Sequence, residues 1–320
     1  MAFCVARAYI ARMSDVTAAA PLQQDLSEVS DWVTLLKPRV ISLVVLTGVV
    51  GLLVAPGHLH PTLAIAAVLC IALGAGAAGA INMWYDRDID AVMRRTQARP
   101  IPAGRIDPGA ALAYGVGLAL ASVAIMGLAT NWVAAGVLAL SIGFYVFVYT
   151  MWLKRRTSQN IVIGGAAGAF PPVIGWAAVT GDVTLMPVLM FAIIFFWTPP
   201  HFWALSLWAH ADYEKVGVPM LPVTHGAKET RKQVLVYTIA LVPLTLLPWA
   251  LGFAGWVYAA SALLLGLEFL RQSVAVFRDR QDAAGRSLTN DVPAKKAFRY
   301  SLLYLALLFV ALAVDKALLG

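Results

Sequence analysis

Apolar and polar positions fall along this chain in long blocks, without the two-residue period of a strand. Nine windows are apolar nearly throughout: Val40–Val54, Pro61–Met83, Gly109–Ala129, Trp132–Leu153, Ile161–Thr180, Val183–Trp208, Val234–Leu251, Gly255–Leu270 and Tyr300–Val314. A helix needs about 20 apolar residues to cross the hydrocarbon of a bilayer, and it satisfies its backbone polar groups within itself. Each window therefore predicts one membrane-spanning helix. Pro108–Leu153 holds no Asp, Glu, Lys or Arg and is too long for one span, so two helices must meet there, with Asn131 at the turn. Ile161–Trp208 divides in the same way at Gly181-Asp182. The first and last windows are short, and Lys37, Arg39 and Lys316 beside them can reach the interface with their long stems.

The segments between windows fix an expected orientation. Of the 24 Lys and Arg, 23 lie before span 1 or in the loops joining spans 2–3, 4–5, 6–7 and 8–9; the remaining one is Lys316. By the positive-inside rule the N-terminus and the long loops are cytoplasmic and the C-terminus is outside. Composition agrees, with 60% hydrophobic and 13% charged residues and a mean hydropathy of +0.76. A soluble domain has roughly 45–50% and about 25%, and this chain has too little polar surface to cover a water-soluble globule. The net charge of +7 is explained by the loops and calls for no nucleic acid. Cys4 and Cys70 are too few and too separate for a disulfide framework or a metal site. Arg7 and Arg12 interrupt the first 30 residues, which lack the apolar core of a signal peptide. We expect residues 1–30 to form a disordered cytoplasmic tail and 31–320 a single transmembrane domain.

Chemistry gathers at the end of span 2, which runs into Asn82-Met-Trp-Tyr-Asp86-Arg-Asp88-Ile-Asp90 and then Arg94-Arg95-Thr96-Gln97-Ala98-Arg99-Pro100. Asn82, Asp86, Asp90 and Arg94 are four apart, so on a continuing helix they form one stripe drifting about 40° per step, with Asp88 on the opposite face. Two carboxylates and an amide oxygen one turn apart suit Mg²⁺, which completes its shell with substrate phosphate and water. The arginines that follow supply planar donors for phosphate oxygens. A solvated helix end is the plainer reading. Against it, three of the chain's 17 acidic residues occupy five positions, where like charges repel unless a cation lies between them.

Two later segments add to this. Loop 4–5 carries Lys154-Arg155-Arg156, alone an ordinary basic flank, with Asn160 at the next helix start. Span 6 ends Trp197-Thr-Pro199-Pro200-His201-Phe202-Trp203, and the paired prolines predict a bend or a restart. On a helix continuing from His201, the residues His201, Trp208, Asp212 and Lys215 share a face. His201 has two readings, a ligand contact or a hydrogen bond to a carbonyl freed at the proline break; polar groups inside a membrane are functional candidates by default.

Together these motifs resemble the intramembrane prenyltransferases of the ubiquinone-biosynthesis type, in which Asn-x-x-x-Asp-x-x-x-Asp followed by Arg-Thr-x-x-Arg-Pro binds a Mg²⁺–prenyl diphosphate. Asn82–Asp90, Pro199–Trp203 and Asp212-Tyr213 with Gly217-x-Pro219-Met-Leu-Pro222 are similar to the haem-farnesylating branch, and the resemblance runs from Lys37-Pro38-Arg39 to span 9. It implies an all-α polytopic membrane protein of nine helices bundled around a central cavity open to the cytoplasmic side. The implied reaction moves a farnesyl group from farnesyl diphosphate to a vinyl group of haem B, a substrate here, with water added, giving haem O and diphosphate. The resemblance assigns Asp86, Asp90 and Asp212 to catalysis and, with Asn82, to Mg²⁺. It assigns Asn82, Arg94, Arg99, Lys154, Arg155 and Lys215 to the diphosphate, and His201 and Trp203 to haem.

Trp84, Tyr85, Tyr145, Phe147 and Tyr149 are candidate aromatic faces for an allylic cation. One departure stands out. Four positions after Asp212 the chain has Val216, so a second metal ion would depend on Glu214 or water. The implied partners are the bilayer and a haem A synthase or terminal-oxidase assembly pathway, in a bacterial inner membrane. A relative with a quinone or chlorin acceptor would share Asn82, Asp86 and Asp90 but is not expected to carry Pro199–Trp203. A transporter would show two matching halves around a midplane site, whereas these acidic groups sit at one rim.

Overall fold

The computed structural model describes residues 27–282 and 285–319. Residues 1–26 of the expected tail, Cys4 among them, lie outside the described residues, and Val29 and Ser30 already open a helix. Among the described residues eight helices are long and apolar enough to cross a membrane, and a bent pair, counted as one span, makes a ninth. That pair is α1 (Val29–Leu35) and α2 (Pro38–Val54), which meet at 53°. Lys37 sits at the bend with φ +56°, in the left-handed region, because Pro38 starts α2 and disfavours a right-handed helical residue before it.

Spans 2 and 3 are α3 (Pro61–Tyr85), followed by the short α4 (Arg87–Val92), and α5 (Pro108–Ala129). α3 carries Gly74-Ala-Gly76-Ala-Ala-Gly79-Ala, and small residues let helices approach closely in lipid, where apolar burial alone gives no preference for a neighbour over a lipid tail. Span 4 is α6 (Trp132–Gly143), prolonged by a ten-residue π-helix, Phe144–Leu153. Asn131 sits at the turn as expected and caps α6 by accepting the Ala134 N–H at 2.9 Å.

Span 5 is in three pieces: α7 (Asn160–Gly164), α8 (Ala166–Ala169) and α9 (Pro171–Thr180). Span 6 is one helix, α10 (Leu185–Lys215), with Pro199 and Pro200 inside it. The expected restart is absent, and Thr198 donates its hydroxyl to the Ile194 carbonyl at 2.8 Å on the turn before the prolines. After the short α11 (Leu221–Thr224) come α12 (Gly226–Ala250), α13 (Trp256–Phe277) and α14 (Val292–Leu319). All three run past the apolar windows and bring charged residues such as Glu229, Arg271 and Lys295 onto helix.

The largest apolar core lies where α2, α10, α12, α13 and α14 meet, around Val50, Ile193, Leu241, Phe269 and Leu308. α9 packs so tightly on α2 that a Cβ on Gly51 would run into the Pro172 backbone, and one on Gly175 into the Gly48 carbonyl. Buried Asp315 of α14 accepts the N–H groups of Gly255 (2.5 Å) and Tyr258 (3.1 Å), satisfying donors at the start of α13.

Candidate active site

The site begins where α3 ends. Asp86 stands between α3 and α4, yet the N–H of Asp86 bonds the Asn82 carbonyl (2.9 Å) and the N–H of Asp90 bonds the Asp86 carbonyl (2.8 Å). Helical register is thus carried across the joint, and Asn82, Asp86 and Asp90 remain stacked and buried, Asp86 at 0% exposure. The fourth expected member of the stripe does not join them. α4 stops at Val92, Met93 is extended, and Arg94 is exposed. The chain then turns back on the buried Thr96, whose hydroxyl donates to the Asp90 carbonyl at 2.9 Å, and delivers Arg99 to the Asp90 carboxylate at 2.5 Å.

A second set of cations arrives from the π-helix. Its widened turn, with the Lys154 N–H bonded to the Tyr149 carbonyl five residues back (2.9 Å), carries Lys154 to the Asp86 carboxylate. Arg155 grips the exposed Asp88 at 2.6 and 2.7 Å, reaches Asp86 at 3.4 Å and lies over the Tyr85 ring. The guanidinium holds the Asp88 carboxyl below the usual carboxylate range, and the same hydrogen bonds raise Arg155 above its ordinary value. The rings of Tyr145 and Tyr149 meet at 5.3 Å, tilted by 36°, within electrostatic reach of Asp86. Phe147 is 64% exposed on the far side, so it is not an interior aromatic face.

Three contributors were not singled out by sequence reasoning. Lys37, read there as an interfacial flank, donates to Asn82 Oδ1 at 2.8 Å, while the Asn82 amide nitrogen donates to Asp86 (2.7 Å) and to Thr150 Oγ1 (3.1 Å). The Asn82 oxygen assigned to metal therefore faces an ammonium group. Arg95, rather than Arg94, bonds the Tyr213 hydroxyl at 3.0 Å and lies over its ring, which ties the end of α10 to the loop after α4. Neither Lys37 nor Tyr213 has a spacing that marks it; the bend before Pro38 and the packing of α10 bring them in.

The rest of the α10 motif divides. Asp212 is half-buried and Lys215 exposed at the helix end. His201 is a packing residue: its ring stacks between Trp197 (4.4 Å) and Phe298 (4.7 Å), and its Nδ1 pairs with the Ser301 hydroxyl at 2.6 Å. Its bond is to a hydroxyl on α14, not to a carbonyl freed by the prolines, and Trp208 of the same face also packs on Phe298. Trp203 points elsewhere, against Tyr237 of α12.

Two buried carboxylates with phosphate-binding cations around them suit Mg²⁺ shared with a diphosphate, since that ion takes one or two carboxylates and leaves the rest of its shell to substrate and water. Among the described residues no three His, Cys, Asp or Glu side chains gather into a complete cage. The donor set fits an ion that arrives with its polyanion. The UbiA prenyltransferase family matches residues 44–303. The chain belongs to that family.

This prenyltransferase is 68% identical over 291 residues to the protoheme IX farnesyltransferase of Granulibacter bethesdensis, covering 91% of this chain and 92% of that one. It is likewise 68% identical over 302 residues to the protoheme IX farnesyltransferase of Acidiphilium cryptum, covering 94% and 95%. Among solved structures, a digeranylgeranylglyceryl phosphate synthase superposes with a TM-score of 0.72 at 17% identity, over 90% of this chain and 98% of that one. A UbiA homologue from Archaeoglobus fulgidus bound to GPP and Mg²⁺ gives 0.66 at 17% identity, over 88% and 99%. These two likenesses establish the helical fold of the family.

Proposed function

We propose that this chain transfers the farnesyl group of farnesyl diphosphate to a vinyl carbon of haem B, with addition of water, releasing diphosphate and haem O. The observation that carries the reading is the 68% identity, over more than nine-tenths of the chain, to proteins named for that activity. The charge arrangement supports it. Asp86, Asp88 and Asp90 are paired with Lys154, Arg155 and Arg99, so the three carboxylates face three cations before any ligand enters. Asp86 and Asp90 would hold Mg²⁺, with Asp212 on α10 a further candidate that would act through water or the diphosphate, and the ion when bound supplies positive charge to the leaving diphosphate.

Lys154, Arg155 and Arg99 then exchange carboxylate partners for phosphate oxygens, and Lys37 adds a fourth cation at Asn82. These groups stabilise the negative charge that grows as the allylic C–O bond breaks. The adjacent rings of Tyr145 and Tyr149 offer π-faces to the farnesyl cation. The basic loops put the site at the cytoplasmic face of a bacterial inner membrane, with the N-terminus inside and the C-terminus outside. Haem O would then pass to a haem A synthase or terminal-oxidase assembly pathway.

The test supplies membranes carrying the protein with haem B, farnesyl diphosphate and Mg²⁺ and seeks haem O by mass. We expect haem O from the parent. A chelator should abolish it, and Asp86→Asn should lower its rate by at least about 100-fold, the scale of losing one positioned electrostatic group. A folded parent that leaves haem B unmodified overturns the reading.

A further inference from the structure

The reaction proposed above needs a water molecule at one moment only: after the farnesyl carbon has bonded to the vinyl group and left a cation beside the porphyrin. Water present earlier would quench the farnesyl cation. The molecule therefore needs a wet compartment next to the site but separate from it. A cavity of about 170 Å³ lies between α10, α12 and the start of α7, against the roughly 10–15 Å³ that a single water needs.

Its wall is polar along one line. His225, Glu229, Gln233 and Tyr237 are four apart, from the start of α12 downward, and Gln159 and Trp203 face them. His225 is exposed at the rim, Glu229 and Gln233 are half-buried, and the Gln233 amide donates to Glu229 at 2.7 Å. One orphaned polar group belongs to the lining: Trp203, only 2% exposed, has an indole N–H without a hydrogen-bond partner. Buried donors and acceptors are nearly always satisfied, by ordered water where protein does not reach. Gln159 of the lining belongs to the loop that presents Lys154 to Asp86, and that loop is held by the Asn160 amide nitrogen, which bonds the carbonyls of Thr157 (2.7 Å) and Lys154 (3.4 Å).

We propose that this cavity is the water reservoir of the reaction, and that its lining residues Trp203, Gln159 and Gln233 hold the water that becomes the new hydroxyl. The inference rests on the haem-farnesylating reading. The vinyl π-pair forms the C–C bond as the C–O pair leaves with diphosphate. A lone pair of the water oxygen then forms the C–O bond at the cationic carbon. One water proton departs along the cavity waters to Glu229 at the mouth and to solvent. If water fails to arrive, the same cation loses a proton from the neighbouring carbon and gives an alkene one water lighter than haem O.

The two products differ in mass, so their ratio reads water delivery separately from farnesyl transfer. We expect Gln233→Leu and Gln159→Leu to raise the alkene share at least fivefold while total farnesylated haem stays within about threefold of the parent. An unchanged ratio overturns the inference. A second measurement stands apart from activity: Gln233→Cys, in a Cys4→Ser/Cys70→Ser background, should react with a hydrophilic, membrane-impermeant thiol reagent added from the side of the basic loops. An unreactive Cys at 233 also overturns it. A parent that makes neither product removes the haem reading itself and this inference with it, whereas a parent that makes haem O and variants with an unchanged ratio remove only the inference.

Discussion

At the scale of the residue, the site is governed by which oxygen meets which cation. Asn82 is the clearest case: its spacing from Asp86 and Asp90 made it a metal ligand, but its oxygen accepts from Lys37 and its nitrogen props Asp86. This makes Lys37 a positioning residue for the acidic pair as well as a cation for the diphosphate. Lys37→Met should raise the KM for farnesyl diphosphate about tenfold or more, the effect of losing one charge-assisted hydrogen bond of ~1.5–3 kcal/mol, with KM for haem unchanged; steady-state kinetics with each substrate varied checks this. His201 gives the opposite expectation. Its ring fills the space between Trp197 and Phe298, so His201→Ala should cost ~2–4 kcal/mol and lower the thermal midpoint in detergent. The protein that remains folded should keep the parent's KM for haem; a large rise in that KM would mean the ring touches substrate.

Among the elements, the π-helix at Phe144–Leu153 has the greatest consequence for function. An α-helix brings residues four apart to one face, whereas here the five-residue turn brings Tyr149 and Lys154 into line, and Lys154 onto Asp86. Its apolar run, Phe-Tyr-Val-Phe-Val-Tyr-Thr-Met-Trp-Leu, reads equally well as ordinary helix, because lipid-facing and core-facing residues are both hydrophobic and leave no period to read. Deleting Met151 would let the segment close to an α-helix and swing the basic loop off the acidic pair. We expect a membrane-inserted, folded protein with farnesyl transfer reduced by at least 100-fold; activity near the parent level would show that the widened turn is dispensable. The three-piece span 5 was legible in part, since Gly164-Gly165 and Pro171-Pro172 are visible breakers. The continuation of α10 through Pro199-Pro200 without a restart was not, because local propensity argues for a bend or a restart and a long packed helix overrides the restart.

For the whole molecule, buried charge ties elements that sequence leaves unrelated. Arg231, counted with the basic loop residues, is 1% exposed, bonding Asp291 at 3.2 Å, the Gly285 carbonyl at 3.0 Å and lying 3.6 Å from Asp279. It pins the segment between α13 and α14 to the start of α12. Arg231→Met would leave two carboxylates facing each other without their cation, and removal of one partner from a buried pair costs ~3–5 kcal/mol. Limited proteolysis should then cut between residues 278 and 291 faster than in the parent. Resistance equal to the parent would show that Ser287 and Thr289, which both bond Asp279 at 2.7 Å, hold the segment unaided.

Much of this protein follows from its sequence alone, for a physical reason. Hydrocarbon tolerates no unsatisfied backbone and few charges, so nine apolar windows appear as eight membrane-length helices and one bent pair. The acidic stripe was legible because a four-residue spacing on a helix is a purely local rule, and it holds across the joint at Asp86. Local rules end where the helix ends. That Arg94 turns to solvent while Arg99 returns, that Lys37 reaches Asn82, and that His201 stacks between Trp197 and Phe298 all depend on contacts between elements far apart in the chain. Composition and period carry no information about such contacts. The tertiary structure decided them through the bend at Pro38, the widened turn before Lys154 and the pairing of buried charges.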